Sequence, residues 1–537
     1  MGDRAKYATT LVLAASGLSV CLLWLGVDGY GRQVALRTLG LGLSAGLVSV
    51  PLGLLITWVC RSRSLFSDGL VLTCIGLVFV PLFLQVSAWD SAFGKLGWFS
   101  TQGDSLQPLL TGWAAAVWIH GVAAAPQVAL IMMVGLMMGG RSWEEQAMLD
   151  ATPSIVFWNV TARKLLPLIM IGFVWTLVVT AREIAVTDIF QIGTLAEQIY
   201  LGYSLGQFNP GLSPWSAEDI ARAESTRWQL AVALVFWVVV VFVVACFSYL
   251  RPYFNSDHWM KDQKSFGPMT WPKLCVGLLL WCGIALVPLG NLLVRASFGV
   301  ERIAGEPVPD YSLSQLGRSV QRVFTEYNVE MQWSLSIALV SAAVLMVVAI
   351  GFCWLAIENL KWRIAFVLCV ALLASIPGPL LGVGVVSLCS SYDYDWLAYL
   401  YDRTIFPTVL ATALFCWPLV ALITYCVLAG TAKDALEHAN VEGAGQLSRL
   451  IRIAVLQNWM AVVGCFLIAF VLSFGELSAS QMVLPAGIDT VPRRMLGLLH
   501  SGVNELTAAF SLVNFLLVFM LAIISWVLIR RADRSNA

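Results

Sequence analysis

The sequence predicts an all-α polytopic membrane protein, with about twelve transmembrane helices in two parallel six-helix repeats, and three observations carry that prediction. Of 537 residues, 59% are hydrophobic and only 12% are charged. The charged residues gather between apolar runs of about 20 residues, the length that crosses a hydrocarbon core as a helix. At a shift of 292 positions, Pro126 meets Pro418, Leu130 meets Leu422, Ala147 meets Ala439 and Gly172 meets Gly464. One residue of slippage brings Glu183 onto Glu476. An even number of spans per repeat keeps both halves in one orientation, related by an axis along the membrane normal.

Composition also excludes function classes. Lys plus Arg and Asp plus Glu are both 32, so no net basicity draws the chain to nucleic acid. The twelve Cys lie mostly inside apolar runs without a C-x-x-C spacing, and the His are scattered at His120, His258, His438 and His500. No metal site or disulfide framework is expected from these. Without a Gly-x4-Gly-Lys-Ser/Thr segment the chain has no phosphate cradle for ATP, and no catalytic constellation is present. An enzyme within the bilayer is disfavoured, and no cofactor of the chain's own is expected.

In chain order, the charge-free runs of the first half are Tyr7 to Val27, Thr38 to Cys60, Gly69 to Trp89, Ser105 to Gly140, Leu165 to Ala181 and Trp228 to Leu250. The fourth exceeds one span and is expected to begin as an interfacial piece. A cytoplasmic linker over 256–273, with Lys261, Lys264, Lys273 and Pro272, divides a first six-span transmembrane domain (1–255) from a second (274–537). The runs then repeat as Leu274 to Val294, Gln332 to Ile357, Ile364 to Tyr392, Thr404 to Ala432, Ile453 to Gly475 and Leu506 to Ile529. Pro377 and Pro379 break the ninth. Arg61, Arg63, Lys361 and Arg363 fall in short inner loops, which places both termini in the cytoplasm.

Two polar segments interrupt this apolar chain at the same relative position, between the fourth and fifth spans of each half. Glu145-Gln-Ala147-Met-Leu-Asp-Ala151 lies in the loop 140–164, and Glu437-His-Ala439-Asn-Val-Glu-Gly443 in the loop 431–456. On a helix the small residues at i and i+4 share one face. The pair resembles the Glu-Ala-Ala loops of ABC importer permeases, in the double-length form with both transmembrane domains on one chain.

That resemblance implies a type I importer permease of the bacterial inner membrane. It also implies two copies of a separate ABC ATPase, which would hold ATP and Mg, and a periplasmic or lipid-anchored substrate-binding protein. Glu145, Ala147, Ala151, Glu437, Ala439 and Gly443 would then be the ATPase-coupling residues. The first loop departs from the pattern at Gln146, at Ala151 where the family has Gly, and at Thr161-Ala-Arg163-Lys164; the second departs at His438. Because Gly permits backbone angles that Ala resists, the turns after the two coupling helices are expected to differ.

The acids Glu183 and Glu476 close the fifth span of each half, near its outer end. An ionisable residue there marks a translocation path or holds backbone freed by a helix break. Beyond them, Thr194 to Tyr200 and Thr490 to Leu496 read as short outer helices, whose Glu197, Arg493 and Arg494 are candidates for docking the binding protein. The stretches Arg182-Glu183-Ile-Ala-Val-Thr-Asp188 and Phe474-Gly-Glu476-Leu-Ser-Ala-Ser480 look most like the ferric-iron branch of the family. The same acids suit a cationic thiamine or polyamine. A major-facilitator-type secondary transporter is the rival class, but Arg61-Ser-Arg63-Ser-Leu-Phe-Ser-Asp68 lacks that class's motif.

Overall fold

The computed structural model describes residues 29–94, 97–99, 108–138, 142–205, 267–303, 306–389, 395–431 and 433–536. The expected spans Tyr7 to Val27 and Trp228 to Leu250, and most of the linker 256–273, lie outside the described residues.

The first half runs α1 (Gly29–Cys60), β1 (Ser62–Arg63), α2 (Leu65–Val78), α3 (Leu82–Phe93), α4 (Gly112–Met138) and α5 (Ser142–Asp150). It continues through α6 (Pro153–Val156), a π-helical turn over Phe157–Thr161, α7 (Ala162–Arg182), α8 (Ala185–Ile189) and α9 (Leu195–Ser204). Then follow β2 (Gly267–Pro268), α10 (Trp271–Trp281), a second π turn over Cys282–Leu286 and α11 (Val287–Ala296). The hairpin β3 (Phe298–Ile303) and β4 (Glu306–Tyr311) leads into α12 (Leu313–Glu326), α13 (Asn328–Glu358), α14 (Leu360–Ser375), α15 (Gly378–Cys389), α16 (Asp395–Arg403) and α17 (Phe406–Ala429). The chain ends with α18 (Lys433–Val441), α19 (Gln446–Ser448), a π stretch over Arg449–Gln457, α20 (Trp459–Phe474), a 3-10 turn at Ser480–Met482, α21 (Val491–His500) and α22 (Glu505–Asn536).

This is an all-α polytopic membrane protein. Among the described residues, 7 helices are long and apolar enough to cross a membrane, or up to 10 if each broken pair counts as one span. The breaks have sequence causes. Pro81 and Pro377, which cannot donate to a helical ladder, precede α3 and α15, and the chain turns by 105° between α14 and α15. Leu47 and Val347 are 70% and 75% exposed on α1 and α13, as side chains facing hydrocarbon must be. The long run from Ser105 enters α4 at Gly112 and stays helical to Met138.

Element order recurs between the halves. A long span (α1, α13) precedes a broken pair (α2 with α3, α14 with α15), a span (α4, α17), a short polar helix (α5, α18), a π turn, another span (α7, α20) and a short helix (α9, α21).

The contacts divide the chain into two compact units, residues 1–78 with 103–291, and 79–102 with 292–537. In the first, α1, α4 and α7 pack on one another, and α10 lies against α1 and α2. Val50, Val128, Met132 and Leu168 form an apolar cluster there, joined by a 2.8 Å hydrogen bond between the Ser49 and Thr176 hydroxyls. Small and hydroxyl side chains suit close helix contacts in a membrane, where hydrophobic burial gives no preference for a neighbouring helix over lipid. In the second unit α13, α17, α20 and α22 form the core, and α3 packs on α21 and α22. Stacked rings of Tyr327 and Phe510 (4.4 Å) and paired hydroxyls of Ser87 and Ser511 (2.6 Å) hold it.

Candidate functional site

The two polar loops form the helices α5 and α18, and they end differently. After α18, Gly443 adopts φ +76°; its N–H is bonded to Asn440 O (3.0 Å) while Ala444 N–H reaches Ala439 O (2.9 Å). That pair of bonds is a left-handed helix cap, which glycine takes without steric cost. In α5 the equivalent Ala151 makes an ordinary helical bond to Ala147 O (3.0 Å), and Pro153 follows.

The small residues do not make a bare outer face. Ala439 is buried within the chain, Ala147 and Ala151 are half-buried, and what an approaching protein meets on the second loop is Glu437, His438, Val441 and Gly443. A residue at the helix's inner face must be small to let the following π stretch pass close to it. The first loop exposes Met148 and Leu149, the latter at 85%, and the second exposes Val441 at 88%. The α5 backbone carries Glu145 at the position of Glu437.

Each of these short polar helices leads into a π-wound segment before its span. In the second unit that segment is anchored: Arg449, almost wholly buried, contacts Glu358 at the C-terminal end of α13 through two bonds of 3.2 and 3.5 Å. At the matching register the first half has Phe157. Neither the π winding nor this ion pair was read from the sequence.

Glu183 and Glu476 occupy equivalent turns and make equivalent bonds. The Glu183 carboxylate accepts the N–H groups of Ala185 (2.7 Å) and Val186 (3.1 Å) at the start of α8. The Glu476 carboxylate accepts those of Ala479 (2.6 Å) and Ser480 (2.9 Å) ahead of the 3-10 turn. Thr187 and Ser480 each return a hydroxyl to the acid's own carbonyl, at 3.5 and 3.2 Å. Both carboxylates thus satisfy N–H groups that a break in the helix frees. The second break is tight, since a Cβ on Gly475 would stand 2.2 Å from Pro81 Cγ.

The short helices α9 and α21 are fastened similarly. Thr38 Oγ1 accepts the N–H of Leu195 (2.9 Å), and Ser334 Oγ that of Val491 (2.7 Å). Thr194-Leu-Ala-Glu197 forms the N-terminal half of a capping box, with Glu197 N–H bonded to Thr194 Oγ1. Glu197 itself is 5% exposed, hydrogen-bonded to Gln198 at 2.8 Å. Burial, and then the charge of Asp188, push its carboxyl up to about 7 against the opposing Gln198 bond. It therefore lies beneath the surface on which a docking partner would rest. Arg493 and Arg494 are half-exposed; Arg493 stands 3.9 Å from Asp489, and Arg494 lies 3.8 Å from Glu330 and 5.6 Å from the Tyr327 ring.

Compared with known proteins, the chain is 27% identical over 123 residues to the spermidine/putrescine transport system permease protein PotC of Haemophilus influenzae. This homology supports an ABC importer permease. The match spans 23% of this chain and 48% of PotC, about half of the relative's length. No protein-family model matches the chain, and no solved structure does. With its apolar spans, the likeness accords with a multi-pass membrane protein.

Proposed function

We propose that this chain is the permease subunit of a binding-protein-dependent ABC importer, forming the path for a small cationic solute. The observation that carries the reading is the duplicated device: a short polar helix with exposed apolar tips, a π-wound segment, then a membrane span, in both halves. A helix held between two spans can seat in a groove of an ATPase subunit, so that closure of the ATPases moves the spans. Two ATPase copies, one at α5 with Glu145, Ala147 and Ala151 and one at α18 with Glu437, Ala439 and Gly443, complete the assembly. A substrate-binding protein would rest outside, near Arg493 and Arg494 and the hairpin β3–β4 with α12.

Two substrates are in view. Ferric iron follows from the resemblance of the segments around Glu183 and Glu476 to that branch. A polyamine is favoured by the PotC homology, since spermidine and putrescine are what that protein's name assigns to its system. Among the described residues no three His, Cys, Asp or Glu gather as a metal site would require.

The deciding experiment is uptake into vesicles carrying this chain with its co-purified ATPase and binding protein, comparing ferric iron, putrescine and thiamine. Uptake that requires ATP, and is lost in Glu437→Lys, is the expected result. Uptake driven by an ion gradient alone would overturn the importer reading in favour of a secondary transporter.

A further inference from the structure

The hairpin β3–β4 is a sheet of two strands, so each strand has one edge with no neighbour in the sheet. Along an antiparallel ribbon, hydrogen-bonded pairs alternate with pairs that are not bonded. Ser312 N–H is bonded to Ser297 O at 3.2 Å, one step outside the pair Phe298↔Tyr311, and this fixes the alternation. The bonded pairs are Gly299↔Asp310, Glu301↔Val308 and Ile303↔Glu306, and the positions between them turn their backbone groups outward.

The two edges differ. On β4 the outward positions include Pro307 and Pro309, which have no N–H to offer. Proline on an edge strand keeps that edge from pairing. On β3 the outward positions are Phe298, Val300 and Arg302, each with a donor and an acceptor. Val300 is 57% exposed, and among the described residues nothing is bonded to its N–H. The hairpin is guarded along one edge and open along the other.

The register also sets what fits there. One face carries Phe298, Val300, Arg302 and Tyr311 with the two prolines, and the rings of Phe298 and Tyr311 lie 5.4 Å apart. The other face carries Gly299, Glu301, Glu306 and Asp310, with no basic residue. A Cβ on Gly299 would stand 2.5 Å from Gln315 Nε2, so α12 lies over the end of that acidic face. A strand added beside β3 would set apolar side chains along the first face and a Lys or Arg next to Glu301 on the second.

We propose that the free edge of β3 docks an extended segment of a partner protein, alternating apolar and basic residues and added antiparallel through main-chain hydrogen bonds. That this partner is a substrate-binding protein rests on the importer reading above; the edge itself does not.

The test uses the full chain in nanodiscs of zwitterionic lipid and a fluorescent peptide of alternating Val and Lys, with binding read by anisotropy against empty nanodiscs. In an antiparallel addition the peptide residues opposite Val300 share its face and aim their N–H groups at β3. Methylating the Val amide nitrogens is therefore expected to weaken binding about tenfold or more, while methylating the Lys amides leaves it unchanged. Val300→Pro removes the outward donor without touching the β3–β4 bonds and should weaken binding about tenfold, whereas Val300→Thr, which keeps the donor, should not. Equal affinity for the two methylated peptides, binding no stronger than to empty nanodiscs, or affinity that survives Val300→Pro overturns the proposal. Dimers of the full chain in mass photometry, lost in Val300→Pro and unaccompanied by peptide binding, also overturn it and give the edge to a second copy. Binding is read without ATP, so a failure of ATP-driven uptake removes the importer reading and leaves this result standing.

Discussion

Glu183 and Glu476 each hold two backbone N–H groups of the turn that follows. Removing such a carboxylate leaves buried donors without partners, which costs on the order of 1–3 kcal/mol per group. Glu476→Ala is therefore expected to lower the unfolding midpoint sharply, and Glu476→Gln, which keeps one acceptor oxygen, by less. Equal midpoints for the two variants would argue against the capping role. Glu197 gives a pH-dependent case. Its carboxyl is held near 7 in the folded protein, above its ordinary range, so folding favours the protonated form and stability falls as pH rises from about 4.5 to 7. Glu197→Gln should match the native chain at pH 5 and exceed it at pH 8, by on the order of 1–3 kcal/mol; thermal midpoints at the two pH values measure this. At this scale the acids were legible because a charge at the end of an apolar run stands out. Their partners were not, because the donors are main-chain groups freed by a break whose tightness depends on Pro81, far away in sequence.

Along the elements, the π stretch after α18 is tied to α13 through Arg449 and Glu358, and the first half has Phe157 in that place. Arg449 is buried but Glu358 is partly exposed, so losing the partner should cost less than the about 3–5 kcal/mol typical of a fully buried pair. Arg449→Ala should therefore loosen the π stretch and, in the proposed importer, reduce substrate-stimulated ATP hydrolysis more than basal hydrolysis. The exchanged pair Arg449→Glu with Glu358→Arg should recover part of it, and a failure of that double variant to recover anything would point to packing rather than charge. Gly443→Ala, strained at φ +76°, should cost about 1 kcal/mol, whereas Ala151→Gly should change little. Helix positions along the chain were readable from hydropathy, and the differing ends of α5 and α18 from Ala151 against Gly443. The π windings were not, since apolar periodicity over five to nine residues does not distinguish them from α-helix.

For the whole molecule, sequence halves and contact units are different divisions. The sequence places its boundary in the linker 256–273, while the first unit includes residues up to 291 and the second takes in 79–102. Hydropathy reports where spans begin and end but not which neighbours they choose, so this exchange had no sequence signal. Each half expressed alone would lack a segment its unit needs. The halves cut within the linker should be degraded when made separately and should accumulate when made together, as membrane immunoblots would reveal. Time enters here as well. Helix α3 is inserted early, yet its partners α21 and α22 leave the ribosome several hundred residues later, on the order of tens of seconds at ordinary elongation rates. Throughout that interval the surface of α3 that ends buried against them must be sheltered by lipid or by the insertion machinery, so the speed of translation becomes a variable in the yield of folded protein.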